Sequence, residues 1–171
     1  MRANFLKSFV VVVGLFISQA SAQSIWSSST QAYSIEVPKG FKKTTAIGQN
    51  VDFKAENGSS SIIVVVKALP AEYAQYSIWE IMGDLNTYGD EWEYGAREYM
   101  NNPQFLKYGK TKVDGHDAFW YNYTTDSPKM YSKVYQTQKG RYTFTFTLTS
   151  HLNQYNSFSP IWFRFKENIQ L

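Results

Sequence analysis

The stretch from Tyr142 to Thr149 places Tyr142, Phe144, Phe146 and Leu148 at one parity and Thr143, Thr145, Thr147 and Thr149 at the other. A repeat of two is the side-chain period of a β-strand, so one face of this strand is core and the threonine face is exposed or lightly covered. Two runs before it extend the pattern. Val113 leads through Asp114-Gly115 into His116–Tyr123, and a Pro-containing break is followed by Lys129 to Lys139 with a turn at Gly140. Asp-Gly tolerates the positive φ that tight hairpins need. The run from Val113 to Ser150 therefore reads as three antiparallel strands in the middle of one sheet.

The chain ahead of this block supplies further strands and a helix. Tyr33-Ser34-Ile35-Glu36-Val37 alternates at period two, and Pro38-Lys39-Gly40-Phe41 turns after it. Before it, the Ser-rich lead Gln23 to Thr30 reads as frayed. A strand over Asn50–Glu56 meets Ile62–Val66 through the hairpin dipeptide Asn57-Gly58. The unbroken β-branched run Ile62–Val66 suggests cover on both faces.

Ser77 and Glu80 match a capping box, and Tyr76 with Ile81 a hydrophobic staple. Ile78, Ile81, Met82, Leu85, Tyr88 and Trp92 form one apolar stripe at helical spacing. Gly89 followed by Asp90-Glu91-Trp92-Glu93 predicts a break there, giving either a kinked helix or two short ones. Phe105–Val113 reads as another strand. Ser159-Pro160 reads as an N-cap and first helical residue for a terminal helix carrying Ile161, Trp162, Phe165 and Ile169.

Residues 1–22 have the layout of a cleaved secretory signal. Arg2 and Lys7 precede the apolar stretch Phe9–Ile17, and Ala20-Ser21-Ala22 offers small residues for cleavage. The apolar stretch is shorter than the roughly 20 residues of a membrane span. The expected division is a leader over 1–22 and a single domain over 23–171, exported to the periplasm or secreted. Without Arg2 and Lys7, 15 of the 17 basic residues face 14 acidic ones, which argues against a nucleic-acid surface. Cysteine is absent, so neither a disulfide framework nor a lipid-bearing cysteine is available. The aromatic content of 18% supplies a core in their place.

The order of elements and several short motifs resemble the PsbP-like family, whose PsbP/Mog-type fold includes small bacterial envelope proteins such as DcrB. Tyr33 to Phe41 is similar to the family's opening tyrosine, strand and Pro-x-Gly-aromatic turn. Gly115 to Ala118 resembles its Gly-x-x-Ala hairpin, Tyr142–Leu148 its last strand, and Pro160–Ile169 its terminal helix. The family's terminal Ser-Phe is missing, since the chain ends Lys166-Glu167-Asn168-Ile169-Gln170-Leu171. The resemblance implies an α+β fold, an αβα sandwich around a central, mainly antiparallel sheet. It also implies a non-enzymatic role in supporting a membrane-associated or envelope protein complex.

No catalytic or cofactor motif stands out. Asp114, His116 and Asp117 offer metal-ligand chemistry, but Asp-Gly already serves as a turn and adjacent hairpin residues point to different faces. His151 has no partner that the sequence identifies. Asn57-Gly58-Ser59 and Asn122-Tyr123-Thr124 satisfy the glycosylation pattern, the second inside a strand. The candidate partner or ligand surface is aromatic: Phe119, Tyr121 and Tyr123 on one strand, extended by Tyr131 and Tyr135 on the next. The alternative is that a helix covers these rings. A binding adaptor for another envelope or secreted protein is the first functional reading. The second is a carrier holding an apolar or glycan ligand against Trp92, Trp120 and Phe144.

Overall fold

The computed structural model describes residues 23–171, and the expected leader lies outside the described residues. Seven strands form one sheet: β3 (Lys42–Lys43), β4 (Val51–Asn57), β5 (Ser60–Ala68), β6 (Gln104–Val113), β7 (His116–Thr125), β8 (Met130–Lys139) and β9 (Tyr142–His151). Their order across the sheet is β3-β4-β5-β9-β8-β7-β6, and every neighbouring pair is antiparallel. The three strands expected in the middle are contiguous there. Their turns have the expected chemistry: Asp114 and Gly115 sit at φ 46° and 76° between paired Val113 and His116.

The opening strand takes a different place. β2 (Ser34–Val37) does not join the main sheet but pairs with β1 (Ser24–Ser27) in a separate two-stranded sheet. The Ser-rich lead is thus ordered, contrary to its frayed reading. Trp26 explains why. Its ring packs 4.6 Å from Phe53 and 5.6 Å from Tyr33, an apolar anchor that overrides the polar composition around it. Tyr33 is buried against Phe144 and Phe146, and its hydroxyl donates to Asp52 at 2.8 Å. Burial, reinforced by that carboxylate, pushes the phenol well above its ordinary value.

Two clusters sit on the sheet, and strand alternation puts them on opposite faces. Phe119, Tyr121, Tyr123 and Val134 point to one side, beneath α1 (Ile78–Met82) and α2 (Leu85–Ala96). Ala118, Tyr135, Phe144, Phe146 and Leu148 point to the other, against β1–β2 and α3 (Tyr155–Glu167), which contributes Trp162 and Phe165. In β9 the apolar parity is buried from Phe144 to Leu148 and Thr145, Thr147 and Thr149 are half-buried, as the alternation predicts, but the start of the strand departs from it: Tyr142 is exposed, and Thr143 is buried with its hydroxyl donating to the Lys67 carbonyl at 3.3 Å. In β5, by contrast, Ile62, Val64 and Val66 are buried whereas Ile63 and Val65 are only half-buried. The helices of that face sit over β6 to β8 instead, so cover on both sides of β5 is incomplete.

The capping box forms as read. Glu80 N–H donates to Ser77 Oγ at 3.3 Å, and Ser77 N–H donates to Glu80 Oε2 at 2.7 Å. The break falls one turn and a half earlier than Gly89. Gly83 ends α1 at φ 61°, and Asp84 caps α2 by accepting from Asn86 N–H at 3.1 Å. Gly89 stays inside α2 for a packing reason: a Cβ there would lie 2.8 Å from Phe105 Cδ1. Glu93 is not a cap residue either; it accepts Phe105 N–H at 2.6 Å, tying α2 to β6.

The terminal helix also begins earlier than expected, at Tyr155, with Pro160 inside it. Tyr155 packs 4.2 Å from Tyr131 and 5.7 Å from Trp162, which draws the turn ahead of Pro160 onto the sheet. Beyond α3, Ser34 and Gln170 exchange backbone hydrogen bonds at 2.8 and 3.0 Å, and Leu171 N–H donates to Asp114 Oδ2 at 2.8 Å.

Candidate functional site

The aromatic residues singled out from sequence divide between the two faces. Phe119, Tyr121 and Tyr123 are buried under α1 and α2, against Tyr88 and Trp92, so the covering-helix alternative describes these three rings. Burial pushes the Tyr121 and Tyr123 phenols above their ordinary value. Tyr135 is buried on the opposite face, in the cluster with α3. Only Tyr131, half-buried and stacked on Trp162 at 5.9 Å, retains a rim position.

That rim belongs to a groove that sequence reasoning missed. Between Phe105 and Tyr108 the pairing of β6 with β7 slips: Phe105 faces Tyr123 and Tyr108 faces Tyr121, leaving one extra residue on β6. A bulge of this kind bends the strand and re-aims its side chains. It leaves Leu106 and Lys107 exposed beside a groove of about 540 Å3 that is also lined by Phe105, Asn122, Tyr131 and Tyr155. The signal was present: Phe105 and Tyr108 both pack under α2 although they are three residues apart, which an unbroken strand does not allow.

The polar atoms around this groove are imbalanced. Asn122 is 6% exposed, and its Oδ1 has no hydrogen-bond partner among the described residues. That burial also speaks against glycosylation at its sequon. Among the described residues Lys107 is the one charged residue in the lining. Across the β7–β8 ladder Asn122 pairs with Lys133, whose ammonium lies 5.1 Å from the Trp120 ring and 5.4 Å from that of Tyr135. No carboxylate approaches Lys133 within 4.0 Å among the described residues, and burial holds its pKa below the ordinary lysine value. Burial, helped by the neighbouring Tyr155 hydroxyl, raises the Tyr131 phenol well above its usual value. The groove lining therefore combines a lysine and an aromatic wall, while the unserved Asn122 oxygen is sealed from solvent.

Other candidates are committed elsewhere. Asp114 accepts the Leu171 N–H, and Asp117 pairs with Lys112 at 2.8 Å. His116 opens β7, whereas His151 ends β9 opposite Met130, so the two histidines stand at opposite ends of the strands. Trp92 packs in the cluster under α2, while Phe144 and Trp120 belong to the cluster under α3. The sheet separates them, and they cannot line one pocket.

No family model matches the sequence, and no curated protein does. Solved structures do resemble it. The solution structure of cyanobacterial PsbP from Synechocystis superimposes with a TM-score of 0.70, at 12% identity, over 97% of this chain and 98% of that one. LpqN of Mycobacterium tuberculosis, described as involved in cell envelope biogenesis, matches with a TM-score of 0.54, at 7% identity, over 89% of this chain and 86% of its own. The chain has a PsbP-like fold, as its opening motif and order of elements suggested.

Proposed function

We propose that this chain is an exported, non-enzymatic accessory protein that binds another envelope or secreted protein, with the groove at the β6 bulge as its contact site. The observation that carries this reading is the near-complete overlap with cyanobacterial PsbP, joined by the likeness to an envelope-biogenesis protein. In this reading residues 1–22 are removed, residues 23–171 form one αβα sandwich, and the helix layers leave the bulge uncovered. Among the described residues no helix is long and apolar enough to cross a membrane.

The test is fractionation and partner capture in native cells. The expected product begins at Gln23, lies outside the cytoplasm and co-purifies with a discrete partner. A full-length chain retained in the cytoplasm, or one that captures nothing discrete, sinks the reading. The groove volume of about 540 Å3 also falls in the range of small-ligand sites, which supports a carrier as the second reading. Native mass spectrometry separates the two, because a carrier purifies with a small ligand bound.

A further inference from the structure

We infer that the open edge of β6, beyond its bulge, accepts an extended acidic segment of a partner polypeptide as an added antiparallel strand. The inference rests on the accessory-protein reading and names what that partner presents. The hairpin after β6 defines the edge. Asp114 and Gly115 form a two-residue turn, so Val113 and His116 are the hydrogen-bonded pair that closes it. Bonding alternates along an antiparallel strand, which turns the N–H and C=O groups of Lys112, Lys110 and Tyr108 away from β7. β6 is the outermost strand of its sheet, and among the described residues no other backbone group bonds to Tyr108–Lys112 on that side. Ahead of the bulge the edge is already occupied, because Glu93 takes the Phe105 N–H. An unpaired row of this kind is a template for another strand.

The side chains select what can pair there. Lys110 and Lys112 are two residues apart, so both point to the face that carries α1. Their ammonium groups sit over the Trp79 ring of α1, at 5.0 and 5.7 Å, and Trp79 is itself fixed by donating its Nε1–H to the Ala118 carbonyl at 2.7 Å. Lys112 has Asp117 beside it at 2.8 Å, whereas no carboxylate comes within 4.0 Å of Lys110 among the described residues. A strand added here places residues directly opposite both lysines, where like charges are destabilising. That argues against a second copy of this chain, because β6 paired with itself in register brings these lysines against one another. Acidic residues at alternate positions, opposite Lys110 and Lys112, form cross-strand ion pairs instead. Lysines on an edge also discourage indiscriminate pairing. Here both are held over one anchored indole, an ordered arrangement that rejects the wrong strand and rewards the right one.

The test uses the mature chain and three fluorescein-labelled octapeptides. One alternates threonine with glutamate, and one alternates threonine with lysine. The third repeats the first with its glutamate nitrogens methylated, the ones that face β6 when glutamate stands opposite Lys110. Fluorescence anisotropy is expected to show saturable binding of the glutamate peptide and none of the lysine peptide, with methylation weakening binding about tenfold or more. Lys110→Glu should weaken the glutamate peptide about tenfold or more and admit the lysine peptide, at an unchanged melting temperature. Equal binding of the methylated peptide, no saturation below millimolar, or an unchanged charge preference in Lys110→Glu overturns the inference. Self-association of Lys110→Glu, with no peptide bound by the wild type, overturns it too and leaves the lysines as a guard against pairing. If Lys110→Glu captures the partner in native cells as wild type does, the strand inference fails while the accessory reading stands. Strand binding in solution with no partner in cells reverses that outcome.

Discussion

Gly89→Ala sets two effects of opposite sign against each other at one position. In a helix interior, alanine gains about 1 kcal/mol over glycine. At this position the added methyl would stand 2.8 Å from Cδ1 and 3.1 Å from Cε1 of Phe105. The ring cannot simply swing away, because it is held between Tyr88, Trp92, Tyr108 and Tyr121. Forcing a methyl into such a site costs about 1–3 kcal/mol. The balance is a loss of roughly 0–2 kcal/mol. Gly95 in the same helix is the control, since a Cβ there meets nothing within 4 Å. Gly95→Ala should therefore stabilise by up to about 1 kcal/mol. For a chain of this size each kcal/mol moves Tm by roughly 2–4 °C, so differential scanning calorimetry separates the pair. The expected order is Gly95→Ala above wild type and Gly89→Ala at or below wild type. Equal Tm gains for both variants would refute the close seating of α2 on Phe105.

Two further perturbations probe the starts of α1 and α2 and the seating of α3. Backbone hydrogen bonds to Ser77 and Asn86 hold the Glu80 and Asp84 carboxyls below their ordinary values of 4.5 and 3.8. A depressed folded pKa contributes stability above the unfolded value and loses it as pH falls through the folded one. The protection factors of the Ser77 and Asn86 amides, each taken against the free amide at the same pH, should accordingly fall on acidification below about pH 4, and Glu80→Ala should make Ser77 exchange fast at neutral pH. Unchanged Ser77 protection in that variant would contradict the capping box. Trp162, 1% exposed and stacked on Tyr131, anchors α3, and Trp162→Ala should cost about 3–5 kcal/mol in urea unfolding. A loss below about 1 kcal/mol would mean that α3 is not packed as described.

Strand chemistry was legible because its signals are local. The alternation of Tyr142–Thr149 and the Asp114-Gly115 dipeptide identified the central strands, and Ser77 with Glu80 identified the start of α1. The errors arose where tertiary packing overrode a local rule. Gly89 looked like a breaker but is an accommodation to Phe105, while Gly83 and Asp84 made the break. Trp26 ordered a serine-rich lead, and Tyr155 pulled the helix start ahead of Pro160. The aromatic strand left two readings open, because a row of large rings reads alike whether a helix or a partner covers it. The groove escaped notice because it arises from a pairing slip, and a slip leaves only the odd spacing of Phe105 and Tyr108 in the sequence.

The accessory reading stands or falls on whether the bulge meets another protein. A photoreactive residue at Leu106, exposed beside the groove, tests this in native cells, with one at Ile47 as control. Ile47 lies in the connection between β3 and β4, at the other edge of the sheet. The account predicts one discrete protein adduct from position 106 and none from position 47. No adduct from position 106, or the same adduct from both positions, would contradict it.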